Sequence, residues 1–313
     1  MPPSTDFQRP QLLVIALIPP ALRVALARDN DLADHVIEGA PEMASTIPAG
    51  FDAVVTRALF GAPPEVLAAL PGLRVIISLG AGADRIDLDA LKARGIALIH
   101  TPDELTEDVA DYVIGLMYAA QRNIVGADRF VRSGQWETSR FSYSRRVSSR
   151  RIGILGLGRI GERVARKAAA LGLEIAYTGR RARPDVPYAY FENVDALAAS
   201  VDILAITCAR TPETHSLVSP ATLRALGPQG ILINVARGEV VQEAALIEAL
   251  RTGTIAAAAL DVFQQEPKPN PELLTLDNLI LSPHAAALTE ETREAMNDRL
   301  VQSTRAFFET SAS

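Results

Sequence analysis

The sequence predicts an α/β protein built on parallel sheets, and three observations predict it. Short apolar runs alternate with longer helical patterns along nearly all of its 313 residues, a glycine-rich turn opens the second such series, and one long apolar-periodic stretch separates the two. Strands of a parallel sheet are covered by helices on both faces, so they read as continuous apolar runs rather than as alternating ones.

The first series opens on QLLVIALIPPALRVALA, residues 11–27, which is apolar enough to suggest a signal sequence. Its unbroken apolar run from Leu12 to Ile18 is short, only Arg9 precedes it as a positive charge, and Pro19-Pro20 interrupts it. A buried first strand is the reading this supports. DAVVTR, LRVIISLG and IALIH follow as strands, with PPEVLAAL and DLDALKARG as helices between them. Residues 105–123, LTEDVADYVIGLMYAAQRN, read as a long helix. The segment after it carries Arg140, Arg145, Arg146, Arg150 and Arg151 and reads as a solvated surface loop. RIGIL, EIAYT, DILAIT, GILINV, AAAAL and NLIL then repeat the strand signal, and the last stretch is helical.

Length and composition fit this plan: 313 residues suit two domains, and 48% hydrophobic with 22% charged residues describes a globular protein with ample core. A formal charge of -6 and a pI near 5.4 argue against nucleic acid or anionic membrane as the main partner, while leaving room for a local basic patch that binds an anion. The single cysteine, Cys208, excludes an intrachain disulfide, disfavours a multi-cysteine metal site and makes the cytoplasm the expected compartment. No metal is expected.

RIGILGLGRIGERVARKAAALG runs strand, turn, helix, with Gly156, Gly158 and Gly161 at G-x-G-x-x-G spacing and Arg159 and Ile160 between them. This pattern gives a tight turn, a backbone that can approach a pyrophosphate, and close packing of helix on strand. The helix N-terminus offers unpaired N–H groups to the phosphates. At the end of the next strand an Asp or Glu ordinarily holds the adenosine ribose hydroxyls; here stand Gly179, Arg180 and Arg181. Glycine removes the repulsion an acid exerts on a 2′-phosphate, and two guanidinium groups suit that phosphate, so the cofactor is expected to be NADP(H) rather than NAD(H). Arg237, Glu266 and His284 punctuate later strand ends, where an open α/β sheet binds its ligands.

At this point the chain resembles the D-isomer-specific 2-hydroxyacid dehydrogenase family over nearly its whole length. ISLGAGADRID, GILGLGRIG, ITCARTPETHSLV, ILINVARGEVVQEAALIEAL, AALDVFQQEP and LILSPHAA match its motifs in order. Within the family, T-G-R-R after the second strand is similar to NADPH-dependent glyoxylate and hydroxypyruvate reductases and to hydroxyphenylpyruvate-type reductases. The resemblance implies two Rossmann-like domains with parallel sheets, the nucleotide domain (103–286) inserted in a discontinuous substrate domain (1–102 and 287–313), with a cleft between them.

The resemblance also implies roles. Arg237 grips the substrate carboxylate and polarises the neighbouring carbonyl, His284 is the general acid, and Glu266 orients its ring, which suits reduction of a 2-keto acid by NADPH. Thr207, Cys208, Val235 and Ala236 line the cofactor, Asp261 touches the nicotinamide carboxamide, and Thr106 starts a helix near it. Ala81 and Gly82 offer backbone amides to the substrate carboxylate, Leu79 shapes the pocket, and Trp136 reaches into a partner's active site in a homodimer. Arg210 stands where many relatives have Leu, facing a phosphate or solvent.

The expected reaction is NADPH-dependent reduction of glyoxylate or hydroxypyruvate to glycolate or the D-2-hydroxy acid. Bulkier 2-keto acids such as phenylpyruvate or hydroxyphenylpyruvate are the alternative substrates, and a non-catalytic NADP-binding sensor is the alternative class.

Overall fold

The computed structural model describes residues 9–310. The outermost parts of the expected substrate domain, residues 1–8 and 311–313, lie outside the described residues. Two compact units divide the chain: one takes the residues up to Leu105 and from Thr289 on, the other is Thr106–Leu288.

In the first unit β1 (Gln11–Val14), α1 (Pro20–Leu26), β2 (Asp31–Asp34), β3 (Ala53–Arg57), α2 (Pro64–Ala69), β4 (Val75–Leu79), α3 (Leu88–Ala93) and β5 (Ala97–His100) follow in order. The strands form a parallel sheet in the order β2-β1-β3-β4-β5. Residue parity decides which core a strand side chain enters. Leu12, Val14, Val55 and Ile77 pack with Leu22 and Leu26 of α1, whereas Leu13, Val54 and Ile76 pack with Val66, Leu67 and Leu91 from α2 and α3.

The second unit begins with α4 (Thr106–Gln121), then α5 (Ile124–Arg132), β6 (Arg151–Leu155), α6 (Arg159–Ala170), β7 (Glu174–Thr178), β8 (Ala189–Phe191) and α7 (Val194–Ala199). It continues through β9 (Ile203–Ile206), α8 (Pro220–Leu226), β10 (Ile231–Asn234), α9 (Glu243–Arg251), β11 (Ala257–Leu260) and β12 (Leu279–Leu281). Its parallel sheet runs β12-β11-β10-β9-β6-β7-β8. Strand order therefore reverses between β6 and β9, the switch point of a doubly wound dinucleotide-binding sheet. The chain then returns to the first unit in α10 (Glu290–Thr310), whose Met296, Leu300 and Thr304 recur every fourth residue on the buried face.

Three elements were not anticipated from the sequence. The edge strands β2 and β8 are partly exposed, so neither needed a continuous apolar run. Helix α5 has no buried residue at all. The first apolar run forms a strand only as far as Val14. In the arginine-rich loop Arg150 pairs with Asp202 and Arg151 with Glu174, while Val147 is buried. Among the described residues no helix is long and apolar enough to cross a membrane.

Candidate active site

The glycine-rich turn joins β6 to α6 next to the switch point. Gly156 has φ +97°, and a Cβ there would lie 2.6 Å from the Cα of Cys208, so the turn admits only glycine. The Thr207 hydroxyl donates to the Gly156 carbonyl at 2.8 Å, tying the end of β9 to the turn. Gly161 is buried in the first turn of α6, beside Ile160, while Gly158 and Arg159 are exposed. No side chain caps α6, and a Cβ at Gly158 would meet nothing within 4 Å. An uncapped helix start with space beside Gly158 fits a pyrophosphate.

Gly179, Arg180 and Arg181 follow β7. Space is open beside Gly179, and both arginines are exposed with no ion pair among the described residues. Arg183 is different: it donates to Glu162 at 2.9 Å and pairs with Asp185. This edge therefore offers two uncommitted guanidinium groups and no competing carboxylate at position 179, which fits a phosphorylated ribose. Arg210 pairs with Glu239 at 3.4 Å. Cys208 is largely shielded, and burial pushes its thiol up to about 11.

The acid–base candidates lie beyond β10, β11 and β12. His284 Nδ1 and Glu266 Oε2 are 2.8 Å apart, with the side chains 26% and 23% exposed, so the pair is sheltered but reachable. The Phe263 amide donates to Glu266 Oε1 at 3.0 Å. Burial pushes the Glu266 carboxyl up. The hydrogen bonds from His284 and Phe263, with the charges of His284 and Arg237, outweigh that and hold it below the usual carboxylate range. Arg237 is close enough to act on Glu266 because its loop packs on the Phe263 segment: a Cβ at Gly238 would come within 2.0 Å of the Phe263 carbonyl carbon. The turn carrying Val235, Ala236 and Arg237 is held by Asn234. Its side chain accepts from the Ala236 amide at 3.0 Å and donates to the Arg237 carbonyl at 2.9 Å.

His284 itself adopts φ +54°, a conformation that residues other than glycine take only when their surroundings impose it. Asp261 imposes it. Its carbonyl accepts from the His284 amide at 2.9 Å; its carboxylate accepts from the Ser282 hydroxyl at 2.5 Å and from the Ala285 and Ala286 amides at 2.7 and 3.0 Å. Tyr112 of α4 lies 2.6 Å from the Ser282 hydroxyl. Asn234, Ser282 and Tyr112 escaped the sequence reading. The only signal for Asn234 is that it closes an apolar strand as a polar residue; Ser282 and Tyr112 give none.

The remaining candidates lie elsewhere. Leu79, Ala81 and Gly82 belong to the first unit, where the Ala81 carbonyl meets His100 Nδ1 at 3.1 Å and the Gly80 amide donates to Thr101 at 3.0 Å. Thr106 is the first residue of α4. Trp136 stands on the surface at 67% exposure in the short turn Gln135–Glu137.

Strand order, glycine turn and sheltered His–carboxylate pair define a dinucleotide-binding α/β protein equipped for acid–base chemistry. The chain belongs to the D-isomer specific 2-hydroxyacid dehydrogenase family, whose NAD binding domain matches residues 114–286. It is 44% identical over 256 residues to glyoxylate/hydroxypyruvate reductase A of Arabidopsis thaliana, covering 82% of each chain. A 2-ketogluconate reductase of Gluconobacter oxydans is 38% identical over 300 residues, 96% of each chain. Among solved structures, the NADPH-dependent glyoxylate/hydroxypyruvate reductase from Sinorhizobium meliloti, in complex with NADP and malonate, superposes with a TM-score of 0.90 at 36% identity. That match covers 96% of this chain and 94% of the other.

Proposed function

We propose that the protein reduces a small 2-keto acid, glyoxylate or hydroxypyruvate, to glycolate or the D-2-hydroxy acid with NADPH. The observation that carries this reading is the Glu266–His284 hydrogen bond, with Arg237 beside it in the unit that holds the glycine turn. NADPH when bound supplies the hydride. Arg237 binds the substrate carboxylate and polarises the carbonyl, because its planar fork matches a carboxylate. His284 gives the carbonyl oxygen a proton from Nε2 while Nδ1 stays bonded to Glu266, so the ring keeps one orientation through the transfer. In the oxidative direction Nε2 takes the proton back.

Arg180 and Arg181 receive the 2′-phosphate; their exposure and lack of ion-pair partners support that role. Thr207, Cys208, Val235, Ala236 and Thr106 line the cofactor. Asp261, 1% exposed and with its carboxylate already accepting one hydroxyl and two backbone amides, serves first to hold the His284 loop; contact with the carboxamide is secondary. We assign substrate binding to the first unit, through the Ala81 and Gly82 amides and Leu79, and NADP binding to the second. A homodimer is the assembly we propose, formed by the segment 124–143, on which Ile124, Val125, Val131, Trp136 and Tyr143 are each exposed.

Initial rates with NADPH and NADH against glyoxylate, hydroxypyruvate and phenylpyruvate test the reading. Turnover of the two small acids preferring NADPH is expected; no turnover with any acid would sink it, and an NADH preference would remove the phosphate-site assignment.

A further inference from the structure

The first unit carries a polar cluster that the reaction described above does not use. Its strand order reverses between β1 and β3, and ligands of such sheets bind at the carboxyl ends beside that reversal. Arg57 closes β3 there, and its side chain does not point freely into the edge. Arg57 Nε donates to Glu38 Oε1 and Oε2 at 2.9 and 3.1 Å, its Nη2 also bonds Oε1, and Glu38 Oε2 further accepts the Leu17 amide at 2.9 Å. Glu38 is only 17% exposed, so the loops after β1, β2 and β3 are pinned around one bidentate pair. Arg57 also stands directly opposite Leu79 in the strand register, and the Ala58 amide donates to the Leu79 carbonyl at 2.9 Å. The Arg57 backbone therefore lies one strand spacing, about 4.8 Å, from the strand that leads into the Ala81–Gly82 loop, while Glu38, whose amide donates to the Ile15 carbonyl, holds the guanidinium from the β1 side.

We infer that the Arg57–Glu38 pair sets specificity at the far end of the substrate: it admits an uncharged end, hydrogen or hydroxymethyl, and rejects a second anionic group. This rests on the proposed reading that the Ala81–Gly82 loop receives the 2-keto carboxylate. A guanidinium near that loop is otherwise a ready site for a second carboxylate. Glu38 cancels its charge, occupies its bonding edge and adds a repulsive carboxylate of its own. A 2-keto dicarboxylate must then displace a bidentate partner to bind, whereas glyoxylate or hydroxypyruvate leaves the pair intact. Arg85, exposed on the loop after β4 with no ion pair among the described residues, is the competing cation at this edge.

The test compares wild type with Glu38→Gln, in which the amide still accepts from Leu17 but no longer neutralises Arg57. With NADPH, kcat/KM for 2-ketoglutarate and for oxaloacetate, each relative to hydroxypyruvate, is expected to rise about tenfold or more. The gain should vanish in Glu38→Gln/Arg57→Met and persist in Glu38→Gln/Arg85→Ala. A ratio unchanged within about twofold, or a gain that survives loss of Arg57, overturns the inference. Calorimetry with oxamate and with the dianion N-oxalylglycine, in the presence of NADPH, reads the same ratio without turnover. If wild type reduces no keto acid, the proposed reaction fails, while this binding ratio still decides the role of the pair.

Discussion

Two charged regions of the Thr106–Leu288 unit stand at strand ends and are built in opposite ways. Around His284 the supporting groups are paired with one another: Glu266 fixes the ring through Nδ1, Asp261 fixes the backbone, and Ser282 links that carboxylate to Tyr112. Arg180 and Arg181, at the end of β7, are exposed and have no ion pair among the described residues. A group that transfers a proton must be aligned before the reaction, since small displacements cost rate directly. A cation that neutralises a phosphate can be ordered by the ligand itself, because attraction is less sensitive to angle.

The comparison can be broken most severely at the ordered region. His284→Ala is expected to lower kcat/KM by about 100- to 10,000-fold with either cofactor, while leaving the NADPH dissociation constant within about threefold of wild type. Steady-state rates alongside fluorescence titration check this; weakened NADPH binding of the same size would mean that His284 serves the fold or the cofactor instead.

At the solvated region the Arg180→Ala/Arg181→Ala variant should raise KM for NADPH by about 10- to 100-fold and leave KM for NADH and the melting temperature nearly unchanged. Equal losses with both cofactors would mean that the arginines do not read the 2′-phosphate.

Ser282→Ala sharpens the contrast from the stability side. It leaves one oxygen of a buried carboxylate short of a donor and costs about 1–3 kcal/mol in urea unfolding. No surface change at Arg180 should approach that.

The smallest expected effect is a pH dependence. The Glu266 pKa is lower in the folded chain than its ordinary 4.5, so its contribution to stability is complete above that value. It is lost as pH falls through the folded pKa. The urea midpoint difference between wild type and Glu266→Gln should therefore shrink on going from about pH 6 to about pH 3. A difference that stays constant over that range would show that the carboxylate is not selectively stabilised by folding.

Much of this was legible in the sequence. Central strands had to be apolar on both faces, so RIGIL, DILAIT and GILINV announced β6, β9 and β10; the edge strands β2 and β8, half solvated, did not need to be and gave no signal. Gly156 was legible because only glycine tolerates that turn. Arg237, Glu266 and His284 were legible as candidates because each closes or follows a strand with the group that carbonyl reduction requires.

The sequence by itself determined the repeated βα pattern, the glycine turn and the missing acid at position 179, since these depend on residues adjacent in the chain. Tertiary structure alone decided the support around them. Tyr112 and Ser282 meet across 170 residues, and Arg57 finds Glu38 across 19, so whether each polar group was a partner or solvated surface depended on which strand ends the sheet brought side by side. Local propensity fixes the elements, but a hydrogen bond needs two groups within about 3 Å, and only the completed fold sets that distance.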